Sequence, residues 1–233
     1  MQYLGGKSRL AAKFAPILID ALKSGNGKFY EPFVGGFNVV PTIYEHVNKA
    51  LCNDLHPGLI RMYRALKDGW EPPGMLTEEE YSRIKATPNW DDPLTAFAAF
   101  GCSFGGKEFG GYARNARDDN YSERAKNSLL KKVVGMNKVY FVHADYRWWK
   151  IGSGCTVYAD PPYMATTKYK VGGGFDYVSF YSWAERLAAI GCRVFVSEFT
   201  VPKRDGWKVV WKLERKLDIS SKRVVDCLVE VTA

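Results

Sequence analysis

Cys155-Thr156-Val157-Tyr158-Ala159-Asp160-Pro161-Pro162-Tyr163 is the stretch from which the rest of the chain is read. Its first five residues form a short apolar run, the pattern of a buried strand of parallel type. An acid, two prolines and an aromatic ring follow where that strand ends. In open α/β sheets ligands gather outside the carboxyl ends of strands. The residue types suit one chemistry. An exocyclic amine on a nucleobase is a poor nucleophile, because its lone pair is delocalised into the ring, and it carries two N–H donors. The Asp160 carboxylate and one fixed backbone carbonyl can accept both and draw the nitrogen toward a tetrahedral shape, which frees the lone pair. Pro161 has no N–H and is restrained toward an extended backbone by Pro162, so its carbonyl can be held inward. Tyr163 offers a flat face for a displaced base. The same four residues also read as an ordinary turn, and the remaining motifs have to decide.

Composition narrows the classes. The chain has 233 residues, 46% of them hydrophobic, and a net charge of +8. That allows one α/β domain with a sizeable core and an insertion. A basic surface favours a polyanion such as nucleic acid, or an anionic membrane. No apolar stretch is long enough to span a bilayer, and the amino terminus lacks a signal-peptide core, so a soluble cytoplasmic protein is expected. The five cysteines are widely spaced with no C-x-x-C, and the three histidines form no ligand pattern with them. Buried free thiols and no metal are expected.

Toward the amino terminus lies Tyr3-Leu4-Gly5-Gly6-Lys7. Two glycines let backbone approach a ligand, and Lys7 puts a cation beside it, although by itself Lys7 reads as a solvated surface lysine. The spacing is not that of a phosphate loop. A helix from Ser8 to about Leu22 sets Leu10, Phe14, Ile17, Leu18 and Ala21 on one face. Lys28 to Phe33 reads as a first strand, containing Glu31. Val34-Gly35-Gly36-Phe37 reads as a tight turn into a helix, the arrangement of a nucleotide cradle without the full G-x-G-x-x-G. A second strand, Lys49 to Asn53, ends at Asp54, which is placed to accept both hydroxyls of a ribose or to cap the helix Pro57–Lys67.

From residue 70 to 136 the alternation of strand and helix stops, which predicts an inserted helical lobe between catalytic parts 1–69 and 137–233. Thr77 and Glu80 form a capping-box pattern. The middle of the lobe, Gly101 to Arg114, alternates glycines, rings and cations. Lys107, Tyr112, Arg114 and Arg117 are candidates for nucleic-acid contact; the other reading packs the rings on the lobe. Tyr121 to Val134 is a helix with a basic side of Arg124, Lys126, Lys131 and Lys132. The strand Val139–Ala144 ends at Asp145-Tyr146, either an adenine contact or a turn acid and a packing tyrosine. After the tetrad, residues 164–174 hold Lys168, Lys170 and three glycines, a basic loop able to close over substrate. A helix with Tyr177, Phe180, Tyr181, Ala184, Leu187 and Ala188 on its core face follows. A strand Arg193–Ser197 then ends at Ser197-Glu198. Strands near Trp207–Leu213 and Arg223–Val231 suggest a terminal hairpin. Between Lys203 and Arg223 eight Lys/Arg stand against three Asp/Glu, which reads as edge protection or as backbone contact with nucleic acid.

Taken together these motifs resemble the Dam-type DNA N6-adenine methyltransferases of α motif order, in the compact form found in phages. The resemblance implies contacts to the methionine end of S-adenosyl-L-methionine from Tyr3, Gly5, Gly6 and Lys7. It implies a cofactor-binding glycine motif containing Glu31, Pro32, Phe33, Gly35 and Gly36, and a ribose acid at Asp54. Asp145 and Tyr146 are similar to the family's cofactor-adenine contact. Asp160, Pro161, Pro162 and Tyr163 match its catalytic tetrad, with Asp160 also beside the cofactor. Phe37 stands where the family often has glycine. The implied fold is a Rossmann-like methyltransferase sheet, mostly parallel with an antiparallel terminal strand, helices on both faces, and a target-recognition lobe. The implied partner is double-stranded DNA with a flipped adenine, with no membrane and no obligate protein partner. Two other readings stay open: the same cofactor acting on RNA adenine or a protein amide, and a nucleic-acid-binding protein without catalysis.

Overall fold

The computed structural model describes residues 1–115, 119–163, 174–216 and 223–233. The apolar runs become strands: β1 (Lys28–Glu31), β2 (Lys49–Asp54), β3 (Val139–His143), β4 (Thr156–Ala159), β5 (Arg193–Glu198), β6 (Trp207–Lys216) and β7 (Arg223–Val231). They make one sheet in the order β3-β2-β1-β4-β5-β7-β6. β1 pairs in parallel with both β2 and β4, and β2–β3 and β4–β5 are parallel as well. β7 runs antiparallel between β5 and β6. This is the expected Rossmann-like sheet with an antiparallel terminal strand. The strand order reverses at β1/β4, which puts the ligand crevice outside the ends of those two strands.

The central strand β4 is buried on both faces, as its unbroken apolar sequence requires. On one face Tyr158 stacks on Phe14 of α1 (Ala11–Ser24) with ring centroids 5.5 Å apart. On the other, Val157 and Ala159 share a cluster with Phe180 and Trp183 of α6 (Tyr177–Ala189). Helices therefore cover both faces.

The segment between α2 (Pro57–Lys67) and β3 carries α3 (Glu78–Ala86), the short α4 (Pro93–Ala96) running into a π-helical turn Phe97–Gly101, and α5 (Tyr121–Val133). Leu76, Tyr81, Phe97, Phe100 and Leu129 from this segment belong to the same hydrophobic cluster as Phe14, Phe29 and Tyr158. The segment thus packs as an extension of the sheet's core and not around a separate one.

Two expectations are corrected. The glycine turn does not lead into an α-helix. Two 3₁₀ turns, Val40–Thr42 and Tyr44–His46, follow it. Val39, Val40, Thr42 and Ile43 are β-branched and Pro41 lacks an N–H, so an α-helix here is disfavoured. The first strand also stops at Glu31, two residues early. Phe37 has φ +50, the left-handed region in which glycine is favoured. Its fully buried ring, packed on Tyr63 and Phe141, holds it there. All five cysteines are free and buried. Among the described residues no helix is long and apolar enough to cross a membrane.

Removing the Phe14 ring should cost about 3–5 kcal/mol by cavity formation. At Thr77, Oγ1 accepts from Glu80 N while the Glu80 carboxylate accepts from Thr77 N, and Thr77→Ala should cost about 1 kcal/mol. Urea unfolding of both variants checks this order of effects.

Candidate active site

Asp160 lies one residue beyond β4, at the sheet's point of reversal. Lys7 Nζ donates to both of its carboxylate oxygens at 2.7 Å and to the Gly5 carbonyl at 3.1 Å. Lys7 is only 5% exposed, which corrects the solvated reading. The turn ahead of α1, closed by Leu10 N and Ala11 N on the Lys7 carbonyl, sets this side chain over the strand end. Burial raises the Asp160 pKa, and the Lys7 ammonium opposes that without cancelling it.

The other tetrad members are fixed from two sides. Tyr177 Oη of α6 donates to the Pro162 carbonyl at 2.6 Å. The Tyr163 ring has Lys7 Nζ 4.8 Å from its centroid, and the Phe199 ring meets it edge-on at 4.4 Å. Burial pushes the Tyr163 phenol far up, so it stays protonated.

The glycine turn lies beside this centre. Gly35 has φ +43, and a Cβ added there would come 2.8 Å from the Tyr3 ring. A Cβ on Gly36 would come 2.8 Å from Tyr3 Cβ. The two glycines therefore let the amino-terminal motif settle against the turn. Asp54 Oδ2 accepts from Gly35 N and Oδ1 from His56 N, both at 2.9 Å. The Leu55 N–H also bears on this carboxylate, which leaves one lone pair of the four open. Burial raises the Asp54 pKa against these bonds. Asp54 does not cap α2; His56 does, accepting from Leu59 N.

Asn53 Nδ2 donates to the carbonyls of Pro32 and Ala144, while its buried Oδ1 has no partner among the described residues. An orphaned acceptor among three strand ends, beside an acid with a spare lone pair, fits a bound nucleoside-type group.

Glu31 is buried, and burial followed by the Asp160 charge raises its pKa well above the carboxylate range. The cation within its electrostatic reach is Lys132 of α5. Lys132 Nζ donates to the Gly36 carbonyl at 2.7 Å and to Asn38 Oδ1 at 2.9 Å. Burial lowers its pKa to about 8.

The remaining candidates are more dispersed. Phe33 packs against Tyr146, Phe175 and Phe180. Tyr146 is buried there and also meets Trp183. Asp145 pairs with the Arg147 guanidinium, which holds its carboxyl below the usual range. In the lobe, Tyr112 Oη donates to the Leu76 carbonyl and its ring meets Tyr81. Arg114 forms an exposed ion pair with Glu78 at 2.6 Å, and Lys107 is exposed. Phe109 packs on Tyr81 and Trp90, whereas Phe104 is 63% exposed. Leu4 N donates to the Gly106 carbonyl at 3.1 Å, and a Cβ on Gly106 would lie 2.5 Å from Tyr3 N. The glycine-aromatic loop thus forms a wall behind the amino-terminal motif. Arg117, Lys168 and Lys170, with the closing loop expected at 164–174, fall outside the described residues except for Gly174. Among the described residues no group of three or more His, Cys, Asp or Glu is placed to hold a metal ion.

Three residues at the site were not singled out from sequence. Glu198 carried a usable signal, being an acid at a strand end like Asp54 and Asp160. Phe199 follows it. Lys132 carried none, since one buried lysine in a basic helix looks like its exposed neighbours.

Residues 3–96 match the family model of the D12 class N6 adenine-specific DNA methyltransferases. The match includes the amino-terminal motif, the glycine turn and Asp54, and ends before the tetrad. It bears out the resemblance to the Dam-type family. No curated protein matches the chain significantly. Solved structures of similar shape include 23S rRNA methyltransferase ErmE, 10% identical, covering 93% of this chain and 67% of that one at a TM-score of 0.45. Magnesium protoporphyrin IX methyltransferase ChlM from Synechocystis PCC 6803, with bound SAM, is 9% identical, with 97% and 79% covered and a TM-score of 0.42. tRNA (m1A58) methyltransferase TrmI from Aquifex aeolicus is 9% identical, with 95% and 69% covered and a TM-score of 0.39. Likenesses this distant decide nothing about activity.

Lys7→Met leaves Asp160 buried without its cation and should cost about 3–5 kcal/mol at neutral pH. The folded-state pKa of Asp160 is already raised, and losing Lys7 raises it further. The deficit should therefore shrink as the pH falls and Asp160 takes up a proton, and grow as the pH rises. Urea unfolding at about pH 5 and about pH 8 measures this. Adding Asp160→Asn to the Lys7→Met chain should recover most of the loss.

Proposed function

We propose that this chain is an S-adenosylmethionine-dependent methyltransferase that methylates the 6-amino group of adenine in DNA. The observation that carries this reading is the placement of Asp160-Pro161-Pro162-Tyr163 at the point of reversal of the sheet, with its carboxylate held by Lys7.

S-adenosylmethionine, when bound, supplies a methyl group on a positively charged sulfur. Asp54 would hold the ribose through its free lone pair, with the Asn53 Oδ1 acceptor near by. Gly5, Gly6 and Lys7 would line the methionine end, and the turn at Gly35 and Gly36 would face the cofactor's central part. Asp145 and Tyr146 would flank its adenine.

The acceptor side is built by the tetrad. Lys7 takes one lone pair from each Asp160 oxygen and the Tyr163 hydroxyl approaches the same carboxylate, which leaves one acceptor position open. Asp160 can thus keep its cation and still accept an N–H from the amine. The Pro161 carbonyl takes the second N–H, and Tyr163 receives the base against its ring. The chain's contribution is chiefly to orient the nitrogen in line with the methyl carbon and to free its lone pair. The extra proton on the nitrogen leaves to Asp160 or water after transfer.

The basic net charge and the lobe supply the nucleic-acid side of this reading. Arg114 forms an exposed ion pair with Glu78, which is weak and exchangeable for a phosphate. Lys107 is exposed and the Phe104 ring stands free to stack.

Labelled methyl incorporation into unmethylated DNA tests the proposal, with RNA in parallel and mapping of the modified base. Asp160→Ala should lower turnover at least about a hundredfold, the scale of a misplaced reacting group, while cofactor binding measured by calorimetry survives. Turnover at the wild-type rate in Asp160→Ala, or incorporation into RNA alone, would refute the assignment.

A further inference from the structure

Glu198 closes β5, the strand next to β4. Ala159 pairs with Val196, and continuing that register past the strand ends puts Glu198 level with Pro161 of the tetrad. Its side chain is 3% exposed. Oε2 accepts from Phe199 N at 3.0 Å, whereas Oε1 is buried and has no partner among the described residues. The Phe199 ring is the one that meets Tyr163 at 4.4 Å. Leaving a carboxylate oxygen buried and unpaired is costly, and one retained beside a reactive centre calls for a use there.

The groups around Glu198 come from every element packed on it. Asp160 stands at the end of β4 and Lys7 ahead of α1. Tyr177 and Tyr181 face it from α6, and Cys227 lies opposite on β7. Burial lifts its carboxyl to about 7. The Asp160 charge adds to this, while the N–H groups of Phe199 and Thr200 and the Lys7 ammonium oppose it.

We propose that Glu198 is a positioning acid of the methyl-transfer centre. Its bonded oxygen sets Phe199 against Tyr163, and its free oxygen adds negative charge where the acceptor nitrogen becomes cationic. This role rests on the methyl-transfer reading above. As the nitrogen–carbon bond forms, the sulfur–carbon bond breaks and its electron pair stays on sulfur. The nitrogen then carries a positive charge until it releases a proton to Asp160 or solvent. A second carboxylate close by favours that cation, so the ionised form of Glu198 is the effective one. The transfer rate therefore rises as the pH passes through about 7.

Single-turnover methyl transfer to unmethylated DNA, followed from about pH 5.5 to about pH 9, tests this on the full chain. The wild type should gain about tenfold through neutral pH, the scale of one solvent-screened charge interaction. Glu198→Gln should lose that limb and stay at the low plateau with unchanged cofactor affinity. Glu198→Asp, which keeps the charge, should restore it. A Glu198→Gln variant with the wild-type profile overturns the role. So does a wild type whose rate is flat across neutral pH, whether or not the variants fold. A wild type that methylates no DNA overturns the methyl-transfer reading and this role together. An active wild type matched by Glu198→Gln overturns this role alone.

Discussion

The ion pair between Lys7 and Asp160 joins two segments 153 positions apart, with both carboxylate oxygens at 2.7 Å from one ammonium. Neither charge could be buried alone without a large desolvation cost, and each makes the other's burial tolerable. Bringing Lys7 over the end of β4 brings Tyr3 onto the glycine turn as well, because the two are only four positions apart. Gly35 and Gly36 have no side chain to obstruct that approach. The loop of the lobe then closes on the same motif through Leu4 and Gly106. Four distant parts of the sequence are thereby fixed around one carboxylate.

The lobe's mechanical relation to the sheet follows from the shared core. Phe97, Phe100 and Leu129 pack in the same cluster as the sheet-face residues Phe29 and Tyr158. Lys132 adds a polar tie from α5 to the Gly36 carbonyl. A load on α5 therefore reaches the glycine turn through close-packed side chains and one charged hydrogen bond, with no flexible joint between them.

Buried and half-buried acids accumulate at the ends of the strands. Glu31 ends β1, Asp54 ends β2, Asp160 follows β4 and Glu198 ends β5. Burial raises the pKa of all four. Parallel strands all point the same way, so their last residues crowd into one crevice, where Lys7 and Lys132 offset part of the charge. Such a cluster is expensive for folding and useful where a positive charge has to develop. The chain's overall excess of positive charge lies elsewhere, on the outer surface.

Much of this was legible in the linear sequence, for a local reason. A strand shows as an apolar run, a turn as glycine or proline, and a strand-end acid as an acid that follows such a run. β4 and its tetrad, β2 with Asp54, the α2 boundaries and the Thr77 capping box all depend on neighbours a few positions away. The sequence by itself therefore determined the strands, most of the helices and the order of the motifs. It could not show that the crossover after Gly36 would be two 3₁₀ turns, because Phe37 is held in its left-handed backbone by rings as distant in sequence as positions 63 and 141. Nor could it separate Lys7 and Lys132 from the chain's exposed lysines. Burial and pairing are set by what lies across space, and for Lys7 the partner is 153 positions away. The tertiary structure alone decided which charges are taken out of water and which carboxylate each of them meets.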